Sequence, residues 1–161
     1  MMTIRKLRDD EQPFLAEMLY EALFVPEGQE KFPQEIIQDP ILAKYIDNWG
    51  KDALDIALVA EEAGKLIGAI WGRKFTQDNP GFGFVDENTP ELSMAIKEEW
   101  RGEGIGTTLI REIARSYQQV GIKALSLSVD KKNRAYTLYQ RMGCEVVAET
   151  DTSVVMKKDL K

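Results

Sequence analysis

Residues 3–7 alternate as a short strand. Asp10 then stands where a helix cap belongs, and Phe14, Leu15, Met18, Leu19, Ala22 and Leu23 recur at helical spacing. Pro26-Glu27-Gly28 breaks that helix. A second helical region runs over residues 33–49, interrupted at Asp39-Pro40, where Asp39 caps and Pro40 opens a new helix. Ile41, Leu42, Tyr45, Ile46 and Trp49 supply its apolar face. The period then changes. Residues 56–61 and 66–73 read as strands joined by Glu62-Ala63-Gly64-Lys65, a hairpin. Residues 76–90 are polar, with glycines and prolines, and predict a loop with a short extended piece over 82–85. Residues 91–96 read as a buried strand. From Gly104 onward Ile105, Leu109, Ile110, Ile113, Tyr117 and Val120 mark an amphipathic helix that Gly121 ends. Residues 124–129 form a strand with Leu125, Leu127 and Val129 on one face, 133–142 a helix stopped by Gly143, and 145–149 and 153–157 two closing strands.

This order is β-α-α-β-β-β-α-β-α-β-β. The unit over 91–129 is strand-helix-strand and predicts a right-handed parallel crossover, whereas the hairpins are antiparallel. The expected fold class is α/β (α+β): a mixed, mostly antiparallel central sheet of about seven strands with helices on both faces. No repeat or low-complexity linker divides the chain, and one domain over 1–161 is expected.

Composition narrows the chemistry. The 161 residues are 43% apolar and 30% charged, a balance that supports a sizeable core. No apolar run approaches membrane-spanning length, the N-terminal residues lead straight into a charged segment, and Cys144 is the single cysteine. A cytoplasmic protein without signal peptide or membrane partner is expected. Histidine is absent, which excludes Ser-His-Asp and Cys-His nucleophilic sites and His-ligated zinc. The base must then be a carboxylate, tyrosine, lysine or water, and no metal is expected. The net charge of −6 argues against a nucleic-acid partner. An acidic field attracts an amine, and equally it serves only solubility.

The strand Leu92-Ser93-Met94-Ala95-Ile96 leads through a polar link into Arg101-Gly102-Glu103-Gly104-Ile105-Gly106 and a helix. A helix start offers backbone N–H groups without internal partners and a partial positive charge, and glycines let a bulky anion approach them. Thr107 and Thr108 add hydroxyls, and Arg101 a full charge. The site suits a phosphate or pyrophosphate. GxGxxG fails, because Thr107 and Leu109 stand where the third glycine belongs. No Gly-Lys-Ser/Thr follows, so a P-loop fails too. The pattern that matches is Arg101-x-x-Gly104-x-Gly106.

With Asn133-Arg134-Ala135-Tyr136-Thr137-Leu138-Tyr139 after the next strand, and the helix exit at Met142-Gly143 into a final hairpin, the chain resembles the GNAT superfamily of N-acetyltransferases over roughly its C-terminal half. The resemblance implies acetyl-CoA as cosubstrate and an amine-bearing acceptor. The backbone of Met94, Ala95 and Ile96 would hold the pantetheine arm. The loop of Arg101, Gly102, Glu103, Gly104, Ile105, Gly106 and Thr107 would grip the pyrophosphate, and Asn133 would contact the cofactor arm. A backbone N–H around Ile96 would serve the oxyanion. Tyr139 would protonate the departing thiolate; the alternative is a core tyrosine packed with Leu138 and Met142.

Glu91, at the start of the central strand, is the candidate base, with Asp86 and Glu87 just before it; relatives often use water alone. Cys144 stands where the family commonly has phenylalanine and reads as a small buried hydrophobe. Lys131, Lys132 and Arg134 flank Asn133, either beside the phosphate at the adenosine 3′ end or in a solvated turn. In this family the acceptor is shaped by the N-terminal helices and the loop before the central strand. Here that means residues 24–32, Trp49, Trp71, Phe75 and 82–84, whose aromatics either line a pocket or pack core and lid. Monomer and homodimer are both compatible. A non-catalytic acyl-CoA binding or sensing module with the same fold is the alternative function.

Overall fold

The computed structural model describes residues 2–160. Its strands are β1 (Met2–Lys6), β2 (Ile56–Glu62), β3 (Lys65–Arg73), β4 (Glu91–Ile96), β5 (Ala124–Asp130), β6 (Glu145–Glu149) and β7 (Ser153–Asp159). They form one seven-stranded sheet in the order β1-β2-β3-β4-β5-β7-β6. Every neighbouring pair is antiparallel except β4 and β5. The helices are α1 (Gln12–Ala22), α2 (Pro40–Ala43), α3 (Ile105–Gln119) and α4 (Ala135–Arg141), and α3 makes the crossover between the two parallel strands. None of the described helices is long and apolar enough to cross a membrane.

Two apolar clusters cover opposite faces of the sheet. On one face Leu109, Ile110, Ile113 and Tyr117 of α3 meet Leu58, Ile70, Leu92, Leu125, Leu127 and Met156. On the other, Leu15, Met18 and Leu19 of α1 meet Val59, Ala69, Trp71 and Ala95, joined by Tyr45 and Phe75. Each fully buried aliphatic side chain contributes about 1.5–3 kcal/mol, so the two helices are held by packing. The helix period read in the sequence is what places them. Gly72 has a packing reason of its own: a Cβ there would lie 2.3 Å from the Tyr117 hydroxyl, which donates to the Leu54 carbonyl.

Four local expectations are corrected. Asp10 caps nothing; it lies in a 3-10 turn over Asp9–Glu11. Glu11 closes that turn, accepting from the Arg8 N–H and from both terminal nitrogens of Arg5. The second helical region is a 3-10 turn over Gln34–Gln38 followed by the four-residue α2. Asp39 does cap α2, accepting from the Ile41 N–H. The helix stops because Arg73 captures the carbonyls of Lys44 and Asp47 and bends the following residues into turns. Residues 82–85 form no strand: the Phe84 N–H bonds back to the Gly81 carbonyl, a turn rather than an extended piece. The helix expected from residue 133 starts at Ala135, because the Asn133 side chain accepts the Ala135 N–H.

Candidate active site

Among the described residues, β4 and β5 share a single register pair, Glu91 with Ser126, next to a hydrogen bond from the Ser126 N–H to the Pro90 carbonyl. Beyond it β4 continues paired to β3 and β5 continues paired to β7, but not to each other. Strand alternation tells which backbone groups face the gap. Lys97 donates to Ile67 of β3 and Pro90 accepts from β5, so even-numbered residues of β4 turn toward the gap. Met94 and Ile96 therefore present N–H and C=O groups there, whereas those of Ala95 belong to the β3 ladder opposite Ala69. On β5 the same rule turns Ser128 and Asp130 inward, since Lys131 donates to Thr152 on the far side.

The glycine loop ends at the start of α3. Gly102 and Gly104 both have φ of +82°, and a Cβ at either would meet nothing within 4 Å. These two are glycine for backbone conformation. Gly106 differs: its Cβ would lie 2.9 Å from Leu138 Cδ2 and 3.3 Å from Met94 Cε. It lets α3 sit against α4 and β4. The first backbone bond of α3 runs from the Thr108 N–H to the Gly104 carbonyl, and the Thr108 hydroxyl turns to the same oxygen. The N–H groups of Ile105, Gly106 and Thr107 thus have no partner within the helix. Arg101 donates from Nε to the Ile96 carbonyl, and its guanidinium lies 3.6 Å from Glu21 on α1. Glu103 is exposed on the loop.

Glu91 and Tyr139 occupy opposite faces. Glu91, Ser93 and Ala95 point to the α1 side of β4, while Leu92, Met94 and Ile96 point to the α3 side. Glu91 is 4% exposed. Its Oε2 accepts the Tyr45 hydroxyl at 2.5 Å, and its Oε1 has no hydrogen-bond partner. Burial pushes its carboxyl up to about 7; the Tyr45 hydroxyl, the Gly83 backbone and the charge of Lys44 pull it back part of the way. Asp86 and Glu87, by contrast, are exposed and build the loop: Asp86 accepts from Asn88 and Thr89, and Glu87 from the Gln77 N–H.

Tyr139 is buried on α4 with Leu138 half-buried beside it, and burial pushes its phenol above its ordinary value. It stays protonated at any physiological pH. Cys144 is buried near it, its thiol likewise pushed up by burial and drawn back by Lys158. No activating partner makes it a nucleophile. Asn133 spends its carbonyl oxygen on the Ala135 N–H, fixing the start of α4. Lys131 pairs with Glu149 at 2.7 Å.

The sequence pattern of the Acetyltransferase (GNAT) family matches residues 14–144, most of the chain. The chain belongs to this family. No curated protein matches its sequence. Among solved structures, a PaiA N-acetyltransferase from Thermoplasma acidophilum in complex with coenzyme A is 23% identical, with a TM-score of 0.72 over 99% of both chains. YncA from Salmonella typhimurium, solved with its cofactor acetyl-CoA, is 20% identical, with a TM-score of 0.70 over 99% of this chain and 94% of that one. A ribosomal-protein-alanine N-acetyltransferase from Brucella melitensis is 23% identical, with a TM-score of 0.69 over 98% of this chain and 99% of that one. At these identities the likeness is one of fold, and it agrees with the mixed sheet read from the sequence. In this GNAT chain, Trp71 and Phe75 are core, Trp49 lies under the Arg73 guanidinium, and Phe82 is 57% exposed on the loop. Sequence reading missed Tyr45 and Ser126 as neighbours of Glu91. Tyr45 sat within a helical apolar face, and only tertiary pairing brings Ser126 alongside.

Proposed function

We propose that this protein is an N-acetyltransferase that moves the acetyl group of acetyl-CoA onto a primary amine by direct attack in a ternary complex. The observation that carries the reading is the gap between β4 and β5. Backbone groups of Met94 and the Ile96 N–H line it, the Ile96 carbonyl being held by Arg101, and the α3 N-terminus, lacking intrahelical N–H partners, follows it in the chain. Glu91 lies on the α1 side of the sheet, and Tyr139 belongs to the core cluster on the α3 side. Met94 and Ile96 offer an extended polar edge to the amides of a pantetheine arm, and the N–H groups of residues 105–107 offer donors to a pyrophosphate. The coenzyme A and acetyl-CoA complexes of the fold relatives support that cosubstrate.

In the reaction the amine nitrogen bonds to the thioester carbon while the carbon–sulfur bond breaks. The amine proton passes through water to the Glu91 carboxylate, since the strand separates Glu91 from the oxyanion donor. The Tyr139 hydroxyl gives its proton to the leaving thiolate. A carboxyl titrating at about 7 is half ionised at neutral pH, which suits a general base. A phenol held neutral suits an acid, and the desolvation that raises it also raises the affinity of an adjacent thiolate for a proton. A gap-facing backbone N–H around Ile96 is the proposed oxyanion donor; Glu91 lies at the opposite end of the same strand, roughly 10–16 Å away along it.

The test is a screen of alkylamines, peptides with free N-termini and aminoglycosides with acetyl-CoA, reading free thiol and acetylated product. Thiol release with matching product supports the proposal. Tight coenzyme A binding without transfer to any amine favours a binding or sensing module.

A further inference from the structure

Glu91 makes one hydrogen bond that the proposed chemistry leaves unused. Its donor, Tyr45, follows α2 and is 5% exposed. The Tyr45 hydroxyl donates to Glu91 Oε2 at 2.5 Å and accepts the Phe82 N–H at 2.8 Å. A hydroxyl has one proton, and toward an ionised carboxylate it can only donate. The ring is fixed on several sides. It meets Phe75 edge-on at 4.9 Å, it stacks on Phe82 at 6.4 Å, and its own carbonyl accepts from Trp71 Nε1.

The loop over residues 81–84 is seated on this pair with no room to spare. A Cβ on Gly81 would lie 2.2 Å from Glu91 Oε1 and 2.7 Å from the Tyr45 hydroxyl oxygen. A Cβ on Gly83 would lie 2.5 Å from the Leu127 carbonyl carbon and 2.7 Å from the Ser128 nitrogen on β5. Lys44 pins the loop's near side through the Pro80 carbonyl and Asn79.

We infer that Tyr45 is a positioning residue for Glu91: its hydroxyl holds the carboxylate and the 81–84 loop in one hydrogen-bonded unit, which must loosen before an amine reaches the base. The functional part of this inference rests on Glu91 acting as the base; the coupling itself does not. The charged groups around Glu91 are few. Arg73, its register partner on β3, is committed to Asp55 and to the carbonyls of Lys44 and Asp47. Lys44 acts from the α2 side, Lys157 stands beside Ser126 on β7, and Asp86 and Glu87 lie in the loop.

Two substitutions move the Glu91 proton in opposite directions. Tyr45→Phe keeps the ring but removes a donor to the charged form, so the carboxyl holds its proton to higher pH. Gly81→Ala pushes the loop off Oε1 and admits water, so the carboxyl loses its proton at lower pH. The protonated carboxyl stretch of Glu91, followed by infrared difference spectroscopy against pH in the full chain with Glu91→Gln as blank, reads both without any activity. The expected midpoint rises by about one pH unit in Tyr45→Phe and falls in Gly81→Ala. An unmoved or lowered midpoint in Tyr45→Phe overturns the proposal, as does an unmoved midpoint in Gly81→Ala, which carries the test alone if Tyr45→Phe does not fold. The pH profile of kcat/KM is the separate arm. Infrared midpoints that move while that profile stays fixed support the positioning role and remove Glu91 from the base role.

Discussion

Glu91 stands opposite Ser126 at the one register pair joining β4 to β5 among the described residues, and the oxygens Glu91 Oε1 and Ser126 Oγ are both buried without hydrogen-bond partners. Buried polar atoms of this kind are costly, and the two lie on adjacent strands at the mouth of the gap where the proposed chemistry takes place. A carboxyl so placed dominates the expected pH behaviour.

Activity should fall as pH drops through about 7, where the Glu91 carboxyl takes up its proton. Glu91→Gln should lower kcat on the order of 10²-fold and abolish that limb of the profile. The same group bears on stability. Its pKa is raised from 4.5 to about 7, so the folded state binds the proton more tightly than the unfolded chain. Its contribution is present below pH 4.5 and lost as pH rises to about 7. Denaturant melts at pH 5 and pH 8 should show Glu91→Gln gaining on the parent at the higher pH.

Tyr139→Phe should reduce kcat on the order of 10²-fold with little change in coenzyme A affinity, since the ring fits the same buried place. The deficit should shrink only as pH rises above the ordinary thiol range near about 8.5, because desolvation beside Tyr139 raises the thiolate's affinity for a proton. Rates across pH at saturating acetyl-CoA check this.

The glycine loop yields a conformational prediction. Gly104 holds φ at +82° with open space around it, so Gly104→Ala costs backbone energy alone, about 1–2 kcal/mol. Relaxation of that strain re-aims the N–H groups of residues 105–107. Isothermal titration should find coenzyme A binding weakened about tenfold with the fold intact by circular dichroism.

Arg73→Met should destabilise strongly. Arg73 Nη2 lies 2.7 Å from Asp55 Oδ2, with the two side chains 3% and 0% exposed. Removing one partner leaves Asp55 buried and unpaired, at a cost of about 3–5 kcal/mol. It also frees the Lys44 and Asp47 carbonyls that shape the approach to Tyr45. Thermal melts should show Tm lower by roughly 10 °C.

Much of this architecture was legible in the sequence, for identifiable reasons. β4 was read at its true bounds, and α3 within a residue or two, because Leu109, Ile113 and Tyr117 keep a strict helical period. The glycine loop was found by its spacing, but its glycines act differently: Gly102 and Gly104 for φ, Gly106 for packing on Leu138. The short α2 was hidden because a side chain remote in sequence, Arg73, takes the carbonyls a longer helix would use. Tyr45 was hidden for the same kind of reason: its helical spacing marked it as core, which it is, while its hydroxyl's partner lies 46 residues away.

Initial velocities measured while varying acetyl-CoA and an accepted amine together decide whether transfer is by direct attack in a ternary complex. Direct attack gives intersecting lines, with free thiol released in proportion to acetylated amine, as a ternary complex requires. Parallel lines, or coenzyme A binding with no thiol released to any amine, would contradict it.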